Sequence, residues 1–447
     1  MQKSKTSFSL YFFVGIMLFA LFFGAGNLIF PATLGQLAGE SLPKALGGFL
    51  ITGVGLPFLG IMAIGLSGSS NLQELASKVH PIYGILFTAL LYLTIGPFFA
   101  LPRTSAVAYE IGIAPFISGS SALFIFSLLF FSATLLISLN PVKLVDTVGK
   151  KLSPIIIILI FALIIMAIIN PMGKFQEPVQ SYMNGAFLSG FLEGYNTMDA
   201  LASLVFGIIV INAIRSKEIT SKKNILTLTA KASVIAAILL GLIYVGISYL
   251  GAISTEKLGI LDTGGQVLSE VSIFYFGKLG TLLLSVTIIL ACLTTSIGLV
   301  NACSEYFHML IPKISYKKFA ILFSLISFII ANFGLANIVK YSVPILMFLY
   351  PLAIVLILIT FIAPFIKTKK LLYILTATVT FFISIVDGLK ELYRSLSIDY
   401  FRLLERIIDL YSRYLPLYDK GLGWLMPVSI VVVVILIYNV IGKNGRA

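Results

Sequence analysis

Apolar residues gather into twelve blocks along the chain, at 8–37, 44–66, 82–101, 121–139, 153–169, 188–213, 225–252, 279–302, 316–332, 341–363, 371–386 and 423–441. At 1.5 Å of rise per residue, most of these blocks can cross a hydrocarbon core of about 30 Å as helices. The short ones, such as 371–386, are marginal for spanning. The first block is too long for its task, since as one helix it would rise about 45 Å. Its centre carries Gly24-Ala25-Gly26-Asn27, inside the run Phe-Phe-Gly-Ala-Gly-Asn-Leu-Ile-Phe-Pro at 22–31. Close helix packing explains Gly24, four residues after Ala20. It does not explain Gly26 followed by Asn27 and Pro31. A helix that unwinds there, exposing backbone N–H and C=O groups to a buried ligand, explains all of them. The pattern therefore predicts an all-α polytopic membrane protein that carries cargo, not a membrane anchor.

Composition supports this class. The chain has 447 residues, 59% hydrophobic and 11% charged, with a mean hydropathy of +1.05; soluble domains are roughly 25% charged. The first block far exceeds the h-region of a removable signal peptide, about 7–15 residues, so it reads as a retained span. With twelve spans and both termini cytoplasmic, the inner side holds 19 of the 31 basic residues and four of the 18 acids. Shifting the count by one span reverses that bias. The formal charge of +13 thus reflects topology in a cell membrane and affinity for anionic lipid, and no nucleic-acid partner is expected. Cys292 and Cys303 lie eleven apart in one block and suggest neither a disulfide nor a metal site. His80 and His308 fall in loops, which excludes a haem ligand, a histidine relay or a serine–histidine pair in the membrane core. An ion channel is disfavoured too, for want of a ring-like repeat of charged pore residues. Loop 387–420 mixes charge with Leu, Ile and Tyr at helical spacing and reads as an amphipathic helix on the outer surface.

Internal symmetry sharpens the picture. Block 188–213 carries its own interruption, Glu193-Gly194-Tyr195-Asn196-Thr197-Met198-Asp199-Ala200. It is the fifth block after the first, so an odd-numbered repeat would invert the second half. The segments 74–84 and 267–277 correspond loosely as well, with Leu75, Tyr83 and Gly84 opposite Leu268, Phe276 and Gly277. The chain divides accordingly: a first five-helix repeat at 8–169, a second, inverted one at 188–363, and two further helices at 371–441. Free N–H groups at a half-helix N-terminus suit a carboxylate, because the dipole is positive there, and the carbonyls ending the preceding half-helix suit a cation. Gly24, Ala25 and Gly26 are thus candidates for a substrate carboxylate, with Asn27 beside them. Gly194, Tyr195, Asn196 and Thr197 are candidates for an ammonium group. Asp199 sits deep in its block, where an ionised carboxylate costs about 2.5–3.5 kcal/mol, and is a candidate coupling acid. Thr294-Thr295-Ser296 puts hydroxyls on several faces of the block 279–302, which suits a hard monovalent cation. Arg103 and Glu110, near the outer end of the third block, read as a structural ion pair.

Together with Gly-Pro-Phe-Phe-Ala-Leu-Pro-Arg-Thr at 96–104, the segments at 22–31 and 193–202 strongly resemble the bacterial branched-chain amino acid:cation symporter family, the LIVCS or BrnQ group. The likeness covers essentially the whole chain. It implies a LeuT-like 5+5 inverted repeat of the amino acid–polyamine–organocation superfamily, twelve transmembrane helices with helices 1 and 6 broken, no enzymatic activity and no organic cofactor. It implies import of leucine, isoleucine and valine by symport with Na⁺, or with H⁺ in some members. A more distant likeness joins 24–31 and 291–298 to the corresponding segments of sodium-coupled LeuT-type transporters. Carried over position by position, it makes the carbonyls of Ala20, Phe23 and Ala291 and the hydroxyls of Thr294 and Thr295 ligands for one Na⁺. The chain is one residue short after Asn27, so a second ion site does not carry over cleanly.

Overall fold

Helices account for the regular structure, as the apolar blocks require. The computed structural model describes residues 8–69, 71–139, 153–215, 219 and 221–444. Lys3, Lys5, Lys143, Asp146, Lys150, Lys151, Lys217, Glu218 and Arg446, all counted above toward the inner face, lie outside these residues.

The first interruption divides α1 (Phe8–Phe22) from α2 (Ala25–Ala38). A helical stretch then continues through α3 (Leu42–Leu50), a π-turn at Ile51–Gly55 and α4 (Leu56–Ser67). There follow α5 (Leu72–Ala76), α6 (Pro81–Leu93), α7 (Ala100–Gly112), α8 (Ser120–Ser138) and α9 (Ser153–Ile169). The second half opens with α10 (Gln180–Met183) and α11 (Ala186–Glu193), a 3₁₀ turn at Gly194–Thr197, and α12 (Asp199–Arg215). It continues with α13 (Lys222–Leu258), α14 (Gly264–Leu310), α15 (Tyr316–Ala331), α16 (Leu335–Ile362), α17 (Lys369–Leu396), α18 (Arg402–Tyr414) and α19 (Leu425–Asn444).

All twelve apolar blocks fall on helix. By length and composition, seven helical stretches among the described residues can cross a membrane, or eight if the pair Ala186–Thr197 and Asp199–Ile211, bent by 47°, is one span. The number falls short of twelve because the first block is split into the shorter apolar helix Tyr11–Phe22 and a part that runs on with the second block in Ala25–Ser67. In addition, Ile157–Ile169 and Leu425–Asn439 are also shorter, and the helix Tyr316–Ala331 has only 16 residues.

Two block ends move. The block 82–101 stops where Arg103 interrupts the apolar run, yet the helix kinks at Gly96 and Pro97 and continues to Gly112 with Arg103 buried inside it. Likewise α17 runs ten residues past 386, because Asp387 and Gly388 are themselves buried. The amphipathic segment is then α18, whose Leu404 is covered by Val386 of α17 and by Tyr418. The single tryptophan, Trp424, is 2% exposed. Its segment lies against Leu192 of α11 and Met347 of α16 through Gly421.

Small residues set the helix spacing at the centre. A Cβ on Gly35 of α2 would come within 2.0 Å of the Ser248 carbonyl on α13, and one on Gly251 of α13 within 2.1 Å of the Ala32 carbonyl on α2. The same reciprocal arrangement recurs between α3 and α11, where a Cβ on Gly48 would meet the Phe187 carbonyl at 1.9 Å and one on Gly190 the Ala45 carbonyl at 1.9 Å. Both contacts bring backbones together as small-residue motifs do in membranes. They hold the two interruptions in the middle of the bundle.

Candidate functional site

The first break is made by Asn27. In a continuous helix the Gly24 N–H would bond the Ala20 carbonyl four residues back. Here Phe23 N–H still reaches the Phe19 carbonyl at 2.7 Å, but Gly24 N–H turns to the Asn27 side-chain oxygen at 2.9 Å. The Ala20 carbonyl thereby loses its helical donor, and Gly24 adopts extended backbone, φ −128° and ψ −163°. A Cβ on Gly24 would be a tight fit, 3.1 Å from Thr295 Cγ2 and 3.3 Å from its hydroxyl.

The second break is made by backbone geometry. Met198 takes the left-handed conformation, φ 64°, which costs a non-glycine residue energy and clusters at functional sites. The Thr197 hydroxyl donates to the Gly194 carbonyl at 2.9 Å and accepts from Asp199 N–H at 3.3 Å, so it closes the 3₁₀ turn and starts α12.

A buried polar knot ties the breaks together. Asn27 Nδ2 donates to Asp199 Oδ2 at 2.6 Å and to the Tyr244 hydroxyl, which itself donates to the same carboxylate oxygen at 2.6 Å. Asn27, Asp199 and Tyr244 are all buried, and through them the start of α2, the start of α12 and the middle of α13 share one network. From the other side α7 contributes Arg103. Its guanidinium donates to the carbonyls of Asn196 at 2.6 Å and Thr197 at 3.3 Å and lies 5.0 Å from the centroid of the Phe30 ring. Arg103 is therefore no partner of Glu110, whose carboxylate accepts from the Thr263 hydroxyl. The ion pair expected from the sequence is not formed.

A small cavity of about 40 Å³ lies between these groups, room for water but well below the ~300–1,000 Å³ of an occupied small-molecule site, so a substrate would have to part these walls. Gly24, Ala25, Gly26, Asn27, Thr197, Asp199 and Thr295 line it, with apolar walls from Phe22, Ile95, Ala202 and Phe206 among others. Gly194 and Tyr195 do not. Gly194 packs on the Thr52 hydroxyl, and Tyr195 stacks on Tyr350 with ring centroids 4.0 Å apart. Asn196 reaches the site through its carbonyl alone, by way of Arg103. At the expected cation position, the hydroxyls of Thr294 and Thr295 both donate to the Ala291 carbonyl, at 2.7 and 3.2 Å. Of these, Thr295 faces the break at Gly24, whereas Thr294, Phe23 and Ala20 are not on the cavity wall. Sequence reasoning missed Tyr244, one of many membrane tyrosines, and misplaced Arg103. The signal for Arg103 was available, since a guanidinium inside a span is rare and usually functional.

Two interrupted helices meet at one cavity in a bundle of apolar helices, an arrangement that suits a multi-pass membrane transporter. The fold is the LeuT fold. The crystal structure of MhsT in complex with L-phenylalanine matches with a TM-score of 0.58 at 14% identity, covering 95% of this chain and 98% of that one. The Eremococcus coleocola manganese transporter matches with a TM-score of 0.56 at 15% identity, covering 97% and 94%. The chain belongs to the branched-chain amino acid transport protein family, which it matches over residues 8–441. It is 49% identical over 429 residues to the branched-chain amino acid permease BrnQ of Bacillus subtilis, covering 95% of this chain and 96% of the relative. Identity is 50% over 418 residues to the permease BraB of the same organism (93% and 92% covered), and 44% over 450 residues to BrnQ of Lactobacillus delbrueckii (99% and 100%).

Proposed function

We propose that this protein is a secondary active symporter that imports leucine, isoleucine and valine with Na⁺ by alternating access, through twelve spans arranged as a 5+5 inverted repeat with helices 1 and 6 broken. The observation that carries the proposal is the convergence of both helix interruptions and Thr295 on one cavity with aliphatic and aromatic walls. Matched Gly contacts favour the repeat. That of α2 with α13 at Gly35 exchanges with that of α12 with α4, where Gly207 lies against Ile61 and Ile64. That of α11 with α3 at Gly190 exchanges with that of α1 with α13, where Gly15 lies against Ala232 and Ile235. The N–H groups of Ala25 and Gly26 hold the carboxylate, since that of Gly24 is already bonded within the chain. Carbonyls at the ends of the preceding half-helices, around Phe22 and at Asn196–Thr197, hold the ammonium; each has a second lone pair to offer. The Ala20 carbonyl, stripped of its helical donor, joins the Phe23 and Ala291 carbonyls and the hydroxyls of Thr294 and Thr295 around the ion. The test is [³H]leucine uptake into proteoliposomes under Na⁺ and H⁺ gradients imposed separately. Accumulation driven by Na⁺ alone is expected, and conduction without coupled uptake would end the symporter reading.

A second reading, proton coupling through Asp199, is favoured by the burial of that carboxylate at the second break. Asp199→Asn separates the two, because the carboxamide oxygen can still accept from Asn27 and Tyr244. Na⁺-driven leucine uptake is expected to survive the change. Uptake driven by an H⁺ gradient in the wild type and abolished in Asp199→Asn, with leucine binding retained, would move the coupling step to Asp199.

A further inference from the structure

Arg103 is 3% exposed, it carries a full charge, and its Nε–H has no partner. A guanidinium has five N–H donors. Two of them hold the carbonyls of Asn196 and Thr197, which are neutral acceptors, and the Phe30 ring covers one face of the group. Such an arrangement is a costly way to tether a turn. Asp199, the carboxylate that attracts the group across the cavity, makes no ion pair or hydrogen bond with it. A buried charge without a direct anionic partner costs several kcal/mol, and an amide side chain would bond the same carbonyls. What the guanidinium adds is a planar fork that fits a carboxylate.

Its position gives that fork a target. The group borders the cavity and lies against Gly26, where a Cβ would approach Nη2 to 2.8 Å. Gly26 belongs to the first turn of α2, whose N–H groups point the positive end of that helix into the same space. Two independent positive elements, one from α2 and one from α7, thus converge. Across the cavity Asp199 is occupied by Asn27 and Tyr244.

We infer that Arg103 binds the α-carboxylate of the transported amino acid, and that it makes the site select amino acids over the corresponding amines and amides. This rests on the amino-acid transport reading above. In this role the Asn196 and Thr197 carbonyls hold the guanidinium in place while its remaining N–H groups meet the substrate. Gly26 leaves the room that the fork occupies.

The test is calorimetric titration of the full-length protein, wild type and variants, with leucine and with leucinamide, which lacks only the carboxylate charge. Wild type is expected to prefer leucine strongly. In Arg103→Gln, leucine affinity is expected to fall about 10–150-fold, the scale of a charged hydrogen bond, while leucinamide affinity stays within about threefold. The preference between the ligands collapses. Equal losses for both ligands, or unchanged leucine binding, would overturn the assignment and leave Arg103 a tether. Arg103→Lys guards against a variant that fails to fold: partial loss of the leucine preference is expected, and an undiminished preference overturns the assignment. If wild type binds neither ligand, the amino-acid reading fails, and the role of Arg103 with it.

Discussion

Asn27 shows how much a single side chain can organise. Its oxygen takes the Gly24 N–H from the Ala20 carbonyl, while its amide nitrogen binds Asp199 and Tyr244 on two other helices. Asn27→Ala should return the Gly24 N–H to its helical acceptor, extend α1 and close the proposed ion site from one side. The expected outcome is a rise of at least about tenfold in the Na⁺ concentration for half-maximal leucine uptake, on the scale of one lost polar ligand at about 1–3 kcal/mol. A Na⁺ titration of uptake measures it, and an unchanged midpoint would show that Asn27 does not govern the ion site. Thr295→Val keeps the volume and removes the hydroxyl that faces Gly24. The same titration should report a loss of similar size. Thr294→Val should cost less if the cavity-facing hydroxyl is the stronger ligand.

At the level of elements, the helices and the interruptions at 23–24 and 194–198 were legible in the sequence, because an apolar helix is written as a long apolar run and an interruption as small and polar residues within it. Long-range pairing was not legible. Nothing local to Tyr244 says that its hydroxyl meets a carboxylate 45 residues earlier. Nothing local to Gly194 says that it is small in order to admit Thr52. Arg103 misleads because a charge ordinarily marks the end of a span, whereas here the helix buries it against backbone carbonyls. The same rule puts a boundary at 386, ten residues before α17 ends at Leu396. Packing also makes a direct prediction. Gly251→Val would drive a side chain into the backbone of α2, and overpacking of this kind costs about 1–3 kcal/mol or more. The variant should unfold at lower temperature and transport poorly. Gly298→Ala, on α14 with nothing within 4 Å of the added carbon, should change little. Equal thermal stability of the two variants, read by fluorescence-detected size exclusion, would contradict the proposed interlock of α2 with α13.

For the molecule as a whole, the proposed coupling to Na⁺ is energetically sufficient. One Na⁺ entering down about 100 mV would release about 2.3 kcal/mol, and a tenfold gradient would add about 1.4 kcal/mol. Together these would sustain roughly 500-fold accumulation of substrate per coupled ion. The orientation inferred from basic residues places the α14–α15 turn at Ser315 and the α17–α18 turn at Asp399 on opposite faces. Membrane-impermeant maleimide should therefore label Ser315→Cys only from inside and Asp399→Cys only from outside. The native Cys292 and Cys303 are buried and leave the background low. Labelling of both from one side would reverse the topology.

Trp424 turns the chain into its own optical instrument. It is the one indole in 447 residues, and it is held out of water in the segment that rests on Leu192 and Met347, beside the helix leading into the second break. Steady-state emission therefore comes from a single place. Any rearrangement that lifts this segment should move the emission to longer wavelength, and substrate that holds it down should move it back. The opening and closing of this face can thus be timed in unlabelled protein by rapid mixing.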